Sequence, residues 1–341
     1  MCILTMNRRS DNFNAMDLSE ILSPLAGDLE EVENEIEINI RSEIPLVYEI
    51  SQYLLDSGGK RIRPCVVLLS SGALGLAEGR ERIRAAAALE LIHTASLLHD
   101  DVVDEAELRR GVRSANVVWG NHASVLVGDF LLARALNLMN SCGDVSVIDS
   151  ITRAAGKLAE GQVLEAMSSK KLLAGTEKMC LKIIEYKTAS LLESCGEVGA
   201  ILANASPRER EAVTAYSRNV GFAFQIIDDA LDYSADETEF GKRLGQDIRE
   251  GKTTLPLLYS MERATEEERK RVMDIMDNGR LDEKQTRQVL EMVRNYGGTE
   301  RCAEVAERYV EAAKSSLEAI EDSPFKEALL ELADFIVRRT R

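Results

Sequence analysis

The chain has 341 residues, with 42 Lys and Arg against 58 Asp and Glu, a formal net charge of −16. A field of that sign repels phosphate backbones, which excludes nucleic acid as a general partner. With 45% hydrophobic and 29% charged residues, only 22 Gly and 6 Pro, and 5% aromatics, the composition is that of a folded globular chain built of long helices. It is not that of a disordered segment, a sandwich, a barrel or a propeller.

Residues 1–15 read as a flexible polar N-terminal tail, with Met16 as an alternative start of translation. From Leu18 the apolar residues recur at three and four. Ile21, Leu25 and Leu29 share one stripe, and Ile40, Ile44, Leu46 and Ile50 continue it after a turn. Ser57-Gly58-Gly59 interrupts the pattern. A helix is expected over 60–76, with Pro64 near its first turn, where the missing N–H costs little. Gly75 and Gly79 end that segment, and 80–105 reads as one long helix. Residues 109–121 show no period and read as a loop. Helices are then expected over 123–141, 147–171, 177–203, 207–234, 253–264, 267–278, 283–296, 300–320 and 324–340. Ser206-Pro207-Arg208-Glu209 has capping-box spacing, and Thr176, Asp282, Thr299 and Ser323 each precede a helical run. Alternating runs of strand type are missing, as are a linker and a long repeat. The reading is an all-α fold, one domain over 16–341 of about a dozen helices. The longest apolar tract, 85–98, is broken by Glu90 and His93 and is too short to span a membrane.

Cys2, Cys65, Cys142, Cys180, Cys195 and Cys302 show no CxxC spacing, and the chain has only three histidines, His93, His99 and His122. A Cys/His zinc site is therefore disfavoured, and the cysteines read as reduced, mostly buried thiols of a cytoplasmic protein.

One short repeat stands out. Asp100-Asp101-Val102-Val103-Asp104 recurs as Asp228-Asp229-Ala230-Leu231-Asp232, each copy near the C-terminal end of an apolar helix. The first and fifth carboxylates of a copy lie one turn apart, about 5–6 Å at Cβ. They repel each other, and the negative end of the helix dipole adds to the cost. A single copy is most simply a solvated acidic face. Two copies on apolar helices point to a hard divalent cation held by oxygen, Mg2+ before zinc, with coordination positions left for phosphate oxygens. Basic clusters punctuate the same chain: Gly58-Gly59-Lys60-Arg61-Ile62-Arg63-Pro64, Arg109-Arg110-Gly111, Lys187-Thr188, Gly241-Lys242-Arg243 and Lys252-Thr253-Thr254. Taken singly each is surface charge; adjacent arginines beside a metal site suit a bidentate grip on a diphosphate.

The motifs GGKRIRP at 58–64, LIHTASLLHDDVVDEAELRRG at 91–111, GDFLLARAL at 128–136, YKTASL at 186–191, FQIIDDALDY at 224–233, GKRLGQD at 241–247 and GKTTLP at 251–256 together resemble the trans-isoprenyl diphosphate synthases, the polyprenyl synthetase family. The resemblance runs from about residue 18 to the C-terminus. It implies an isoprenoid synthase type I fold, with a deep central cavity and the two acidic motifs facing each other across its mouth. It implies a prenyltransferase that elongates an allylic diphosphate with isopentenyl diphosphate, head to tail, using two or three Mg2+ ions.

Carried over position by position, Asp100, Asp104 and Asp228 resemble the main Mg2+ ligands, Asp232 a further one, and Asp101 and Asp229 supporting carboxylates. Arg109, Lys187, Gln225, Lys242 and Lys252 are expected to grip the allylic diphosphate. Lys60, Arg63, His93 and Arg110 are expected to hold isopentenyl diphosphate, and Thr188, itself beside the allylic diphosphate, to stabilise the carbocation with Gln225 as a second candidate. Released pyrophosphate is the expected base. An HD-type phosphohydrolase, suggested by His99-Asp100, lacks the further histidines it needs. A class I terpene cyclase would carry a different second metal motif, and a silent subunit of a heteromeric synthase would lack these motifs.

In the family the product grows along the helix that carries the first motif. Ala95 and Ser96, five and four residues before Asp100, are both small, so the tail is expected to pass and the product to fall within C25–C50. A C15 or C20 product is the alternative. Candidates for the cavity floor are Leu132, Leu136, Met139, Leu164 and Met167. Apolar faces around 123–139 suggest a homodimer, with membrane contact only to unload a lipophilic product.

Overall fold

The computed structural model describes residues 14–168, 176–234, 245–277 and 281–338. Nearly all of them are helical. The expected tail and the Lys242 cluster lie outside or almost wholly outside this range.

Contacts divide the chain into two compact units: Met1–Ala155, Leu191–Ser217 and Ser316–Leu332 form the first, and Gly156–Ser190, Arg218–Ser315 and Ala333–Arg341 the second. The first unit is built around the helix Arg80–Val103. Its Ala85-Ala86-Ala87-Ala88 run is completely buried, together with Leu89, Leu91, Ala95 and Leu98. A helix apolar on every side must be enclosed on every side. Its alanines let Ala26–Ile40, Ile62–Ala73 and Asn121–Ser141 pack directly against it. The second unit has its own core of Tyr233, Ile248, Leu257, Val272, Met276, Val289, Met292 and Val293. There the helix Leu255–Arg263 packs on Glu283–Tyr296.

The expected long helices are found with small shifts of their ends, as Val145–Ser168, Pro207–Ser234, Gly298–Ser316 and Pro324–Arg338 illustrate. Thr176 and Asp282 accept the backbone N–H groups of Met179 and Gln285, Asp282 within a full capping box. Thr299 is not a cap: the helix starts at Gly298, after the left-handed Gly297.

Three further readings are corrected. Ile44 and Leu46 do not continue the buried stripe; they are 62% and 43% exposed, because Pro45 starts a new helix and rotates the register, leaving Ile40 and Ile50 inside. The helix expected over 60–76 is shorter, Ile62–Ala73, because Arg61 takes a left-handed conformation at its start. The segment 109–121 is not a bare loop. Leu108–Arg109 and Val112–Arg113 pair as a minimal hairpin, and Ala115–Trp119 is a short helix. Two-residue segments carry no periodicity that a sequence pattern could reveal.

The helix Asn121–Ser141 is long and apolar enough to cross a membrane by length and composition alone. It carries Asp129 and Arg134 and contributes Val127, Leu131, Ala135, Leu138 and Met139 to the core. The five described cysteines are free and buried.

Candidate active site

In the first unit the helix Arg80–Val103 ends on the first acidic motif. Its last turn closes as a Schellman motif: Glu105 N–H bonds to Val102 O, Ala106 N–H to Asp101 O, and Glu105 is left-handed at φ 52°. Glycine normally fills that position, and a side chain there costs about 1 kcal/mol. Arg110 at φ 50° and Gly111 at φ 80° then form the two-residue turn of the hairpin. Asn116 clamps the loop by donating to the carbonyls of Asp101 and Ala106. Among the described residues, three of the four left-handed non-glycine residues, Arg61, Glu105 and Arg110, sit in this region. Strain of this kind persists where the surroundings over-determine it.

The result is an array of cations. Arg109 grips the buried Asp101, with Nε 2.8 Å from both carboxylate oxygens and Nη2 2.6 Å from Oδ1. Part of its fork thus holds the motif. The Arg110 guanidinium lies over Gly59, where an added Cβ would stand 3.2 Å from Nη1. Glycine here lets two guanidinium groups, those of Arg110 and Arg61, approach the backbone. Burial, then crowding by Arg63, Arg110, Arg109 and Arg61, holds the His93 imidazole well below its usual range and keeps it neutral. Burial likewise pulls Arg110 down to about 10, against the favourable field of Glu90. Arg63 is lowered by burial too, and its Nε is buried with no hydrogen-bond partner. Arg63, His93 and Arg110 therefore belong to one cluster, and Lys60 adjoins it in the chain next to Gly59 and Arg61. An excess of buried positive charge with an unsatisfied donor is suited to an anion.

Two residues of this cluster were missed in the sequence. Arg61 turns away to Glu33 at 2.6 Å and Glu90 at 3.0 Å. Glu90 is only 4% exposed and is the buried carboxylate that faces the guanidinium groups. The available signal was an acidic residue inside an otherwise apolar tract.

The second unit holds a cavity of about 90 Å3 lined by Glu165, Cys180, Lys187, Gln225, Asp229, Lys252, Thr253 and Thr254, among others. Lys187 and Thr188 lie on a π turn, Glu185–Ala189, within an otherwise α-helical stretch, and Ser190 N–H bonds to Glu185 O. Single π turns recur at functional sites. Gly221 makes room for this turn against Ala189. Thr188 Oγ1 donates to Gln225 Oε1 at 2.7 Å, and Gln225 Nε2 donates to Asp229 Oδ1 at 2.7 Å. Lys187 Nζ pairs with Glu165. Lys252 follows Gly251, the left-handed residue of a second Schellman turn, and its Nζ lies 2.8 Å from Glu250 and 3.7 Å from Glu165.

The charge balance here is the reverse of the first unit. Burial pushes Asp229 up to about 8; Gln225 works against this, while Asp228, Glu165 and Asp232 add to it. Burial with Asp232 and Asp229 pushes Asp247 well above the usual carboxylate range. Carboxylates crowded in this way suit a cation. Asp232 also serves the backbone, since its oxygens accept the N–H groups of Gln246 and Asp247 and so cap the short helix Gln246–Arg249. Glu165, Asp247 and the π turn were not foreseen. Among the described residues, no group of three or more His, Cys, Asp or Glu could hold a metal ion on its own. Mg2+ ordinarily takes one or two carboxylates and fills its remaining positions with water and phosphate.

Ala95 is completely buried, whereas Ser96 is half-buried with its hydroxyl donating to His93 O at 2.8 Å. Of the floor candidates, Met139 is core, Leu132 and Leu164 are half-buried, and Leu136 and Met167 are exposed.

The family model for polyprenyl synthetase matches residues 44–293. The chain is 39% identical over 326 residues to an octaprenyl diphosphate synthase of Escherichia coli, covering 96% of this chain and all of that one. It is 41% identical over 293 residues to a short chain isoprenyl diphosphate synthase of Methanothermobacter thermautotrophicus, covering 85% of this chain and 89% of the relative. A crystal structure of a polyprenyl synthase from Caulobacter crescentus, complexed with calcium and isoprenyl diphosphate, matches with a TM-score of 0.90 at 36% identity, over 94% of this chain and 97% of that one.

Proposed function

The chain belongs to the polyprenyl synthetase family, and from that premise we propose that it is a trans-polyprenyl diphosphate synthase making a product longer than C20. It condenses an allylic diphosphate with isopentenyl diphosphate and releases pyrophosphate. The observation that carries the reading is the cavity in which Lys187, Gln225, Asp229 and Lys252 converge beside Thr188. Two cations for a diphosphate, a fixed dipole chain and crowded carboxylates for a metal meet in one small enclosure.

In this reading Asp100 and Asp104 of the first motif, and Asp228 and Asp232 of the second, would hold Mg2+. When bound there, such ions would supply neutralisation of the charge that develops on the departing diphosphate. Lys187 and Lys252 grip that diphosphate as the allylic C–O bond breaks; Arg109, and Lys242, which lies outside the described residues, are proposed for the same role. Asp101 and Asp229 support the two motifs. The Thr188 hydroxyl, oriented by Gln225, presents its oxygen toward positive charge. Lys60, Arg63, Arg110 and neutral His93 hold isopentenyl diphosphate, with the orphaned Arg63 Nε available to a phosphate oxygen. After the new C–C bond forms, the proton leaves to pyrophosphate. Buried side chains around both sites keep water from the carbocation.

Two observations favour the longer product: the small Ala95 and Ser96, and the likeness to an octaprenyl diphosphate synthase over that enzyme's whole length. The short chain relative favours the shorter-product alternative instead. The exposed Val117, Val118, Val125, Leu126 and Leu136 support a homodimer. The family match draws on both units, which supports a single synthase domain over 16–341. A cytoplasmic location, with membrane contact only for product release, completes the proposal.

The test is a product assay. Purified protein, Mg2+ and labelled isopentenyl diphosphate are supplied with C5, C10, C15 or C20 allylic primers, and products are sized by chromatography. Products beyond C20 are expected. A sharp stop at C20 would refute the long-chain reading, and no elongation from any primer would refute the synthase reading.

A further inference from the structure

Glu165 has no part in the mechanism above. It is half-buried on the helix Val145–Ser168 and lines the cavity of the second unit. One of its oxygens, Oε2, accepts from Lys187 Nζ and lies 3.7 Å from Lys252 Nζ. Those are the two ammonium groups assigned to the diphosphate. The same carboxylate helps raise Asp229 and Asp247. Lys252 is further neutralised by Glu250 at 2.8 Å. With no diphosphate bound, both lysines are already held by an anion supplied by the chain itself, and a diphosphate has to take them from Glu165.

We propose that Glu165 is an internal competitor for the diphosphate site. It holds Lys187 and Lys252 in place between cycles, and its charge repels the pyrophosphate left after each condensation, so that the product anion departs. The proposal rests on the synthase reading of the same cavity. An enzyme that elongates one chain repeatedly must clear this site each time, and a site of uncompensated lysines would retain pyrophosphate. Removing one unit charge about 4 Å from a bound anion strengthens binding by a factor between about five, in a fully solvated setting, and far more in a dry one. Glu165 is partly exposed, which puts the expectation near tenfold.

The experiment is calorimetric titration of full-length protein with inorganic pyrophosphate, in EDTA and again with Mg2+. Glu165→Gln keeps the shape and removes the charge. In EDTA it is expected to bind pyrophosphate about tenfold more tightly than the native protein. With Mg2+ present, its kcat for elongation falls and inhibition by added pyrophosphate strengthens. Glu250→Gln, which relieves Lys252 alone, is expected to show a smaller gain. Glu165→Ala stands in should the amide variant fail to fold, and thermal unfolding identifies which variants are native. A folded Glu165 variant that binds pyrophosphate no more tightly than the native protein, while the native protein elongates allylic primers, overturns the proposal alone. A native protein that elongates no primer overturns the synthase reading beneath it.

Discussion

Gly221→Ala tests whether the π turn is positioned as finely as the chemistry needs. Gly221 lies on the helix Pro207–Ser234, against the turn that carries Lys187 and Thr188. A Cβ there would stand 2.6 Å from Ala189 Cα and 3.1 Å from its Cβ, against 3.4 Å for the near limit of ordinary contact. The two helices must therefore separate by about 0.8 Å, and the atom in the way is backbone, which cannot swing aside. Overpacking of this kind costs about 1–3 kcal/mol. Replacing a mid-helix glycine by alanine returns about 0.5–1 kcal/mol. The net destabilisation is then about 0–2.5 kcal/mol. At about 2.1 cal/mol/K of unfolding entropy per residue, that lowers Tm by less than about 4 °C for a chain of this length. The effect on turnover is larger, because a shift near 1 Å in groups that hold a reacting substrate costs about 10²-fold. The assay pairs elongation kinetics with thermal unfolding. Gly156→Ala is the control, since nothing lies within 4 Å of its added Cβ, and it is expected to leave both readouts unchanged or raise Tm slightly. A Gly221→Ala enzyme with kcat within twofold of native would refute the claim that this contact sets the geometry of Lys187 and Thr188.

Asp100→Ala and Asp228→Ala are each expected to cut turnover by about 10²–10³-fold while circular dichroism stays native; near-native turnover in either would defeat the two-motif reading. Ser96→Phe is expected to shorten the longest product, read by chromatography. Ser96 is the better site than Ala95, whose complete burial would make an aromatic overpack the core; an unchanged product range would remove Ser96 from the channel. Asp229 is pushed up to about 8 in the metal-free protein, so the folded state carries a proton that the unfolded state, with an ordinary carboxylate, has released. Stability therefore falls as pH rises from about 4 to 8. The midpoint of metal-free native protein should drop across that window more than that of Asp229→Asn, and Mg2+ should reduce the difference; parallel pH profiles for the two proteins would contradict this assignment.

The helical scaffold was largely legible because its signals are repeated many times. A helix such as Pro207–Ser234 announces itself through a capping box and eight turns of apolar period. What failed were features one residue wide. Ile44 and Leu46 fit the stripe by spacing, but Pro45 resets the helical phase, and a period read across a break has no meaning. The π turn at Glu185–Ala189 inserts one residue into a stretch whose polar and apolar positions still look helical on both sides. The hairpin of Leu108–Arg113 is held by backbone conformations at Arg110 and Gly111 that only the glycine hinted at.

The site divides along a different line. Residues expected to touch substrate could be named by type and order: the aspartate pairs, Arg110, Lys187, Thr188 and Gln225. Residues that hold those groups were not found, because the anions that do this work have no motif of their own. Glu90 looks like an ordinary break in an apolar helix until it is seen among Arg61, Arg63 and Arg110, and Glu165 like one of 58 acidic residues until two lysines are seen on one of its oxygens. The physics explains the asymmetry. A site built to take a diphosphate must be cationic, yet an empty cluster of buried cations would destabilise the folded chain. The chain answers with carboxylates that neutralise the cluster when no substrate is bound. Their strength is limited from both sides: too weak, and the empty site is unstable; too strong, and the substrate cannot displace them. Half-buried Glu165, on two lysines at once, sits between those limits, which is why its charge, more than its shape, is expected to govern how the site empties.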